Sequence, residues 1–373
     1  MDSATPVLIA AVSGRALAAS ARRGGYAPLV ADFFGDADTR ALAHAHVRLP
    51  TSLARGMVAD ELIDALETLA AAKRPAGTVC GTGFEDRPEL LARVSERWPL
   101  LGNGAATVAR VKDPLLFAAL CRACDIPHPP TSLAPPADPR GWLAKRRGGA
   151  GGTHVTAAAG ATKNGGADYF QHRVDGTPVS ALILADGRRA MALGFSAQWS
   201  APSPARPFRY GGAVRPAVLA PALAEALTGA VARLVAAVPL VGLNSADFLI
   251  DGDAFWLLEI NPRPGATLDI FEPADASLFA LHMAAIGGRL PERAPVLVGA
   301  AAAATVYAPH EIGAMPAVDW PAWAADRQNA GTRVSAGAPV CTVVAHADDP
   351  LAARALAEQR VAAILAKVAP RLQ

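Results

Sequence analysis

The chain is poor in cysteine, with four in 373 residues. Cys121 and Cys124 form C-R-A-C in an amphipathic stretch, and Cys80 and Cys341 stand alone. No second pair completes a zinc-type set, so the four read as reduced thiols near a core and the expected compartment is cytoplasmic. An excess of either charge is also missing, since 35 Lys and Arg face 33 Asp and Glu for a net +2. That balance gives no bulk attraction to nucleic acid or to a membrane surface, and neither is expected as a partner. The N-terminus has no charged region followed by a cleavage site, and the most apolar stretch, Val296 to Ala308, is too short to span a bilayer. No internal repeat is present. Two nucleotide signatures are absent as well. The glycines at 148–152 lead to no Gly-Lys-Ser/Thr, and Ser13-Gly14-Arg15 after the first strand is not G-x-G-x-x-G. What remains is 52% hydrophobic and 18% charged, enough for two or three domains with a substantial core.

The most informative stretch is Ser245 to Asp269. Apolar runs at 246–250 and 254–260 flank Asp251-Gly252-Asp253, which reads as a hairpin. Asp247, Glu259 and Asn261 place hard oxygen donors among these apolar residues. A buried carboxylate is costly unless it is paired or bound to metal. Alternation puts Glu259 and Asn261 on one face of the second strand. A three-residue loop over 251–253 sets Asp247 opposite Leu257 on that same face, whereas a two-residue loop reverses the parity and separates the three donors. Such oxygens suit Mg²⁺ that shares its shell with water and substrate phosphates. Arg263, at the strand's end, is placed to hold an anion. The plain alternative is an amphipathic hairpin whose acids face water.

Asp247 followed by Glu259-Ile260-Asn261-Pro262-Arg263 resembles the metal-binding signature of the ATP-grasp superfamily. Members of that superfamily join a carboxylate to an amine, or another nucleophile, through an acyl-phosphate. The resemblance implies that Asp247, Glu259 and Asn261 bind Mg²⁺, with Mn²⁺ as a substitute, and that Arg263 contacts phosphate or acyl-phosphate. Upstream, Lys112-Asp113-Pro114 and the later Ile126-Pro127 are similar to a family pattern whose lysine contacts ATP phosphates. Lys145 ends a short strand before Gly148, Gly149, Gly151 and Gly152. Glycines let backbone N–H groups approach phosphates closely. In the family such a lysine holds α- and β-phosphates and the loop closes over them, so Lys145 joins Arg263 as a catalytic candidate. A loop with so few side chains is expected to be weakly anchored. Gln171, Val174 and Asp175 fall in the segment that resembles the adenine-reading hinge, with Gln171 where Glu is common. Gln198, Arg209, Tyr210 and Gly211, with Thr267 and Asp269, fall where related ligases line the acceptor side. The alternative for 196–216 is a surface loop with structural glycines.

Along the chain, strands at 7–12 and 27–33 around a helix at 16–23 give a parallel βαβ unit. Ser13 and Gly14 stand where a helix N-terminus can bind an anion. A helix at 57–72 leads to strands at 78–80 and 100–103, and Glu85 faces either a cleft or solvent. One helix is expected over 108–125. Further strands are expected at 142–145, 181–185, 189–195, 305–307 and 340–344, and helices at 221–238, 278–286 and 351–368. The expected fold class is α/β, with an α+β ATP-grasp core. The division implied is a pre-ATP-grasp, Rossmann-like domain at 1–107, an ATP-grasp core at 108–298 with a lid at about 125–176, and a C-terminal module at 299–373. The resemblance implies an ADP-forming ligase for small-molecule or coenzyme biosynthesis, such as a methanofuran- or pterin-like carrier. ATP and Mg²⁺ would be its cofactors, a carboxylate and an amine its substrates, and a homodimer an oligomeric option. The alternatives are a biotin-carboxylase-like enzyme using carboxyphosphate and a non-catalytic nucleotide-binding protein.

Overall fold

The computed structural model describes residues 4–71, 73–160 and 168–368. The first unit is built on β1 (Thr5–Ala10), α1 (Arg15–Arg23), β2 (Tyr26–Asp32), α2 (Ala37–Leu42), β3 (Ala45–Arg48), α3 (Ala59–Ala71) and β4 (Thr78–Cys80). The strands form a parallel sheet in the order β3-β2-β1-β4. Val7 to Ala10 are wholly buried, as expected for a parallel sheet covered on both faces. Leu8 and Ala10 pack with α3, whereas Val7 and Ile9 pack with α1 and with the central sheet described below. The segment expected as a strand at 100–103 makes a single parallel bridge from Leu100 to Thr78. Ala72, the last residue of the expected helix at 57–72, lies outside the described residues.

After α4 (Glu89–Ser95), the single helix expected at 108–125 is two, α5 (Ala105–Lys112) and α6 (Pro114–Ala123). Pro114 has no N–H to continue the helical ladder. Asp113 turns out of helical geometry at φ −74°, ψ 121°, and its carboxylate accepts from the N–H groups of Leu115 and Leu116. Lys112 is thereby left at a helix end. The small lid sheet follows, with β5 (Thr131–Ser132), β6 (Trp142–Lys145), β7 (Thr156–Ala157) and β8 (Tyr169–His172), antiparallel in the order β5-β8-β6-β7. Within the expected lid, residues 161–167 lie outside the described residues.

The central sheet comprises β9 (Thr177–Asp186), β10 (Ala190–Ser200), β11 (Tyr210–Arg215), β12 (Val241–Asp251), β13 (Ala254–Asn261), β14 (Ala300–Tyr307), β15 (Ala324–Ala325) and β16 (Pro339–Ala347). It is antiparallel in the order β13-β12-β9-β10-β11-β14-β16-β15. Strand period sorts β9 cleanly. Ala181, Ile183 and Ala185 pack with α7 (Pro221–Ala237), while Leu182 and Leu184 face α1 and α9 (Leu278–Ile286). The short α8 (Leu268–Phe271) precedes α9. The region 196–216, for which a surface loop was the alternative, is mostly strand, with 201–209 joining β10 to β11. β14, β15 and β16 extend the same sheet, and α10 (Pro350–Val368) covers them. Ala353 and Ala357 of α10 share a core cluster with Ala302 and Ala304. Among the described residues no helix is long and apolar enough to cross a membrane.

Candidate active site

The site is organised by the β12–β13 hairpin, and its register corrects the sequence reading. Asp251 pairs with Ala254, so the turn has two residues, Gly252 and Asp253, rather than three. Phe248 faces Leu257, yet Asp247 faces Glu259. Leu258 is therefore an extra residue on β13, a β-bulge that shifts the register by one. The bulge cancels the parity change of the short turn. Asp247–Glu259 and Ser245–Asn261 then stand on one face, while Phe248, Leu257 and Ile260 enter the core on the other.

On that face the donors are tied together. Asn261 Nδ2 donates to Asp247 Oδ2 at 2.9 Å, and Ser180 Oγ donates to Asp247 Oδ1 at 2.6 Å. Lys112 Nζ donates to Glu259 Oε2 and Asn261 Oδ1, each at 2.9 Å. Lys145 Nζ donates to Gln171 Oε1 at 3.0 Å. Burial, with Glu259 close by, raises the Asp247 carboxyl above its usual range, against the pull of Ser180 and Lys112. Burial would raise Glu259 too, but Lys112 and Lys145 outweigh it and hold that carboxyl low. Burial, assisted by Lys112, lowers Lys145 against Glu259. Two carboxylates separated in this way by their surroundings form a divided pair, one holding its charge firmly and one near the edge of losing it.

Arg263 reaches back to the first unit, where its Nε donates to Glu85 Oε1 at 2.6 Å. Glu85 is nearly fully buried and also accepts from the N–H groups of Gly83 and Phe84. The sequence left this residue between cleft and solvent, and the fold buries it against Arg263, away from solvent.

The glycine loop lies closed over the cleft. Gly148, at φ +64°, sits so close to Glu85 and Asp86 that a Cβ would come within 2.3 Å of the Asp86 nitrogen. A Cβ on Gly152, at φ +67°, would come within 2.0 Å of the Phe208 carbonyl oxygen. Tyr210 N–H donates to the Gly151 carbonyl at 2.9 Å. The expectation of a weakly anchored loop is thus not met, because backbone contacts replace the missing side chains. Beneath the loop is a cleft of about 380 Å³, lined by Lys112, Gln171, Gly148, Gly149 and Glu259 among others.

Two lining residues escaped the sequence reading, His128 and His154. His128 follows Ile126-Pro127, and its Nδ1 donates to the Leu257 carbonyl at 2.7 Å. Burial, with Lys145 nearby, lowers its titration against the pull of the Leu257 carbonyl. His154 stands in the glycine loop. The other candidates are dispersed. Val174 and Asp175 lie outside this lining, and Asp175 is exposed and paired with Arg173. Arg209 spends its donors on the carbonyls of Ala201 and Gly337 and stacks on Tyr307 at 3.8 Å. Gly211 makes room for the β10 edge, since a Cβ would meet the Ala201 nitrogen at 2.8 Å. Gln198 is half-buried in mid-strand opposite Ala213. Tyr210 is half-buried, and desolvation, ahead of nearby Tyr307 and Asp247, pushes the titration of its phenol upward. Thr267 stands at the N-cap position of α8 with no side-chain cap hydrogen bond, and Asp269 is held by Arg15, which also grips Asp326. Ser13 and Gly14, read as an anion site, donate to Asp326 and Asp32 instead.

Three comparisons with known proteins bear on this arrangement. Residues 115–267 match the family model described as the ATP-grasp domain. No curated protein matches the chain in sequence. Among solved structures, the chain is similar to the biotin carboxylase domain dimer of Hydrogenobacter thermophilus 2-oxoglutarate carboxylase in complex with MgADP, ADP and bicarbonate. That likeness has a TM-score of 0.75 at 12% identity and covers 99% of this chain and 91% of the other. It is similar to the ADP complex of N5-carboxyaminoimidazole ribonucleotide synthetase, with a TM-score of 0.72, 15% identity and 97% of each chain covered. It also spans 20% of Kluyveromyces lactis urea amidolyase, with 98% of this chain covered, 18% identity and a TM-score of 0.67. Residues 115–267 thus match an ATP-grasp domain, and the chain as a whole has the fold of these carboxylase and synthetase structures.

Proposed function

We propose that the protein is an ATP-dependent ligase that joins a carboxylate to an amine through an acyl-phosphate, releasing ADP and phosphate. The observation that carries this reading is the network in which Lys112 joins Glu259 to Asn261 and Asn261 joins Asp247, with Lys112 and Glu259 lining the cleft under the glycine loop and Lys145 held on Gln171 of the same cleft. In the reaction, a carboxylate oxygen attacks the γ-phosphorus and the bond to ADP breaks. The amine nitrogen then attacks the acyl carbon and phosphate leaves. Little protein covalent chemistry is needed, so charge neutralisation and positioning supply the rate. Lys112 and Lys145 neutralise phosphate oxygens. Arg263, next to the metal strand, meets the charge that develops on the transferred group. The glycine loop excludes water.

Two carboxylates and an amide oxygen form a hard-oxygen set of the kind Mg²⁺ takes when phosphates and water complete its shell. The Lys112 ammonium now bridges Glu259 and Asn261, and so marks that face as one where a cation is stabilised. Among the described residues there is no cluster of three His, Cys, Asp or Glu that could hold a metal alone. Asp247, Glu259 and Asn261 would hold Mg²⁺, and it would supply charge neutralisation at the phosphates. The substrate class extends to amides of coenzyme type, such as methanofuran- or pterin-like carriers, and a homodimer is the assembly this reading favours.

A second reading, carboxylation through carboxyphosphate, draws on the likeness of fold to carboxylase domains. The deciding experiment is ADP release with Mg²⁺-ATP, screened over pairs of amino acids and amines and run in parallel with ¹³C-bicarbonate. ADP release that needs an acid–amine pair and yields an amide supports ligation. Label entering the product overturns it in favour of carboxylation.

A further inference from the structure

We propose that His154 is a ligand of the nucleotide's terminal phosphate, a role that rests on the ATP-dependent reading above. His154 lies in the loop between β6 and β7 and lines the same cleft as Lys112 and Glu259. Its ring lies directly against Gly149. A Cβ at that position would fall 2.2 Å from the ring Cγ and 2.4 Å from Nδ1. Glycine there lets the imidazole turn inward instead of out to solvent.

The inward ring is incomplete. Its Nδ1 is buried and has no hydrogen-bond partner among the described residues. An unpaired buried nitrogen costs about 1–3 kcal/mol, so such groups persist where something outside the chain completes them. The charged groups that act on the ring are Glu259, Lys145 and Lys112. Burial, with the two lysines against Glu259, pushes its titration down to about 4. The imidazole is therefore neutral near pH 7, with one N–H to donate, and the Ala150 carbonyl is the backbone acceptor near the ring that a phosphate oxygen would displace or complement. An acceptor that belongs between two lysines is an anion, and phosphate oxygens are the anions an ATP-binding cleft receives. Glu259 has the largest of the three influences, which sets the ring beside the metal strand. In the ligase reading the transferred phosphate is the one that meets the metal set, so a ring beside Glu259 would meet that phosphate rather than the two that remain in ADP.

The test is calorimetry with Mg²⁺ and either β,γ-imido-ATP or ADP, on the wild type, His154→Ala, His154→Gln and Gly149→Ala. A hydrogen bond to a charged group is worth about 1.5–3 kcal/mol, so His154→Ala should weaken the imido-ATP complex roughly 10- to 100-fold and leave ADP within about 2-fold. His154→Gln, which keeps a donor, should recover part of the loss. Gly149→Ala, which displaces the ring, should reproduce it. Equal weakening of both nucleotides would show a loop-shaping role and overturn the proposal, as would an unchanged imido-ATP affinity in both His154 variants. A wild type that binds neither nucleotide would refute the ligase reading itself, a result distinct from either of these.

Discussion

Replacing Lys112 by Met keeps the bulk of the side chain and removes the ammonium that holds Glu259 and Asn261. The Lys112 side chain is 5% exposed and that of Glu259 is 35% exposed. Breaking a fully buried ion pair costs about 3–5 kcal/mol, and an exposed pair is worth about 0–1 kcal/mol. Partial opening of Glu259 to the cleft puts the expected loss between these, at about 1–3 kcal/mol. With an unfolding entropy of about 2.1 cal/mol/K per residue, that loss lowers Tm by only about 1–4 °C, so urea unfolding at constant temperature is the better assay. The pH dependence follows from Glu259, whose folded carboxyl is held below its ordinary 4.5. A depressed acid stabilises the fold above its unfolded value, and that contribution disappears as pH falls through its folded value. The gap between wild type and Lys112→Met should be full at pH 7 and narrow below about pH 4.5. A variant as stable as wild type at pH 7, or a gap that widens in acid, would refute the pairing.

Three further outcomes are expected. Glu259→Gln should abolish ADP release while its circular dichroism stays that of wild type, because one charge is lost where metal and triphosphate must be balanced. Arg263→Ala should lower kcat roughly 10²- to 10³-fold with a smaller change in ATP affinity. It also leaves Glu85 buried without its cation, so adding Glu85→Gln should restore stability in urea but not turnover. Gly152→Ala places a side chain at φ +67° and against Phe208. This should hold the loop off β11, raise KM for ATP and speed proteolysis at residues 148–152.

The approach of Asp247, Glu259 and Asn261 to one face was legible because acids and an amide inside apolar runs are a visible anomaly. Lys145 and its loop were legible from a strand ending at a glycine cluster. The turn length was misread because Asp-Gly-Asp is compatible with either loop, and a bulge such as Leu258 leaves no compositional mark. The helix at 108–125 was read as continuous because its apolar spacing crosses Pro114, although that proline and Asp113 carry the break. Arg209 and Asp269 illustrate a different limit. Charge type alone does not tell a free binding group from one already spent, and their partners, Gly337 and Arg15, lie far away in sequence. His154 was overlooked because its meaning depends on Gly149 beneath it, a contact with no signature in spacing.

Among the described residues, the lid sheet's own core cluster consists of Ala144, Ala158 and Phe170, with Trp142 against them. The first unit, by contrast, shares one continuous core with the central sheet through Val7, Ile9, Leu182 and Phe279. Cooperativity is therefore unevenly distributed. The first unit and the central sheet melt as one body, whereas the lid is a subglobal unit whose order is borrowed from its docking at Glu85, Asp86, Phe208 and Tyr210. Amide protons of β6 and β8 would then report lid undocking rather than global unfolding. A phosphate-bearing ligand beneath the loop would slow their exchange long before it altered the melting of the rest.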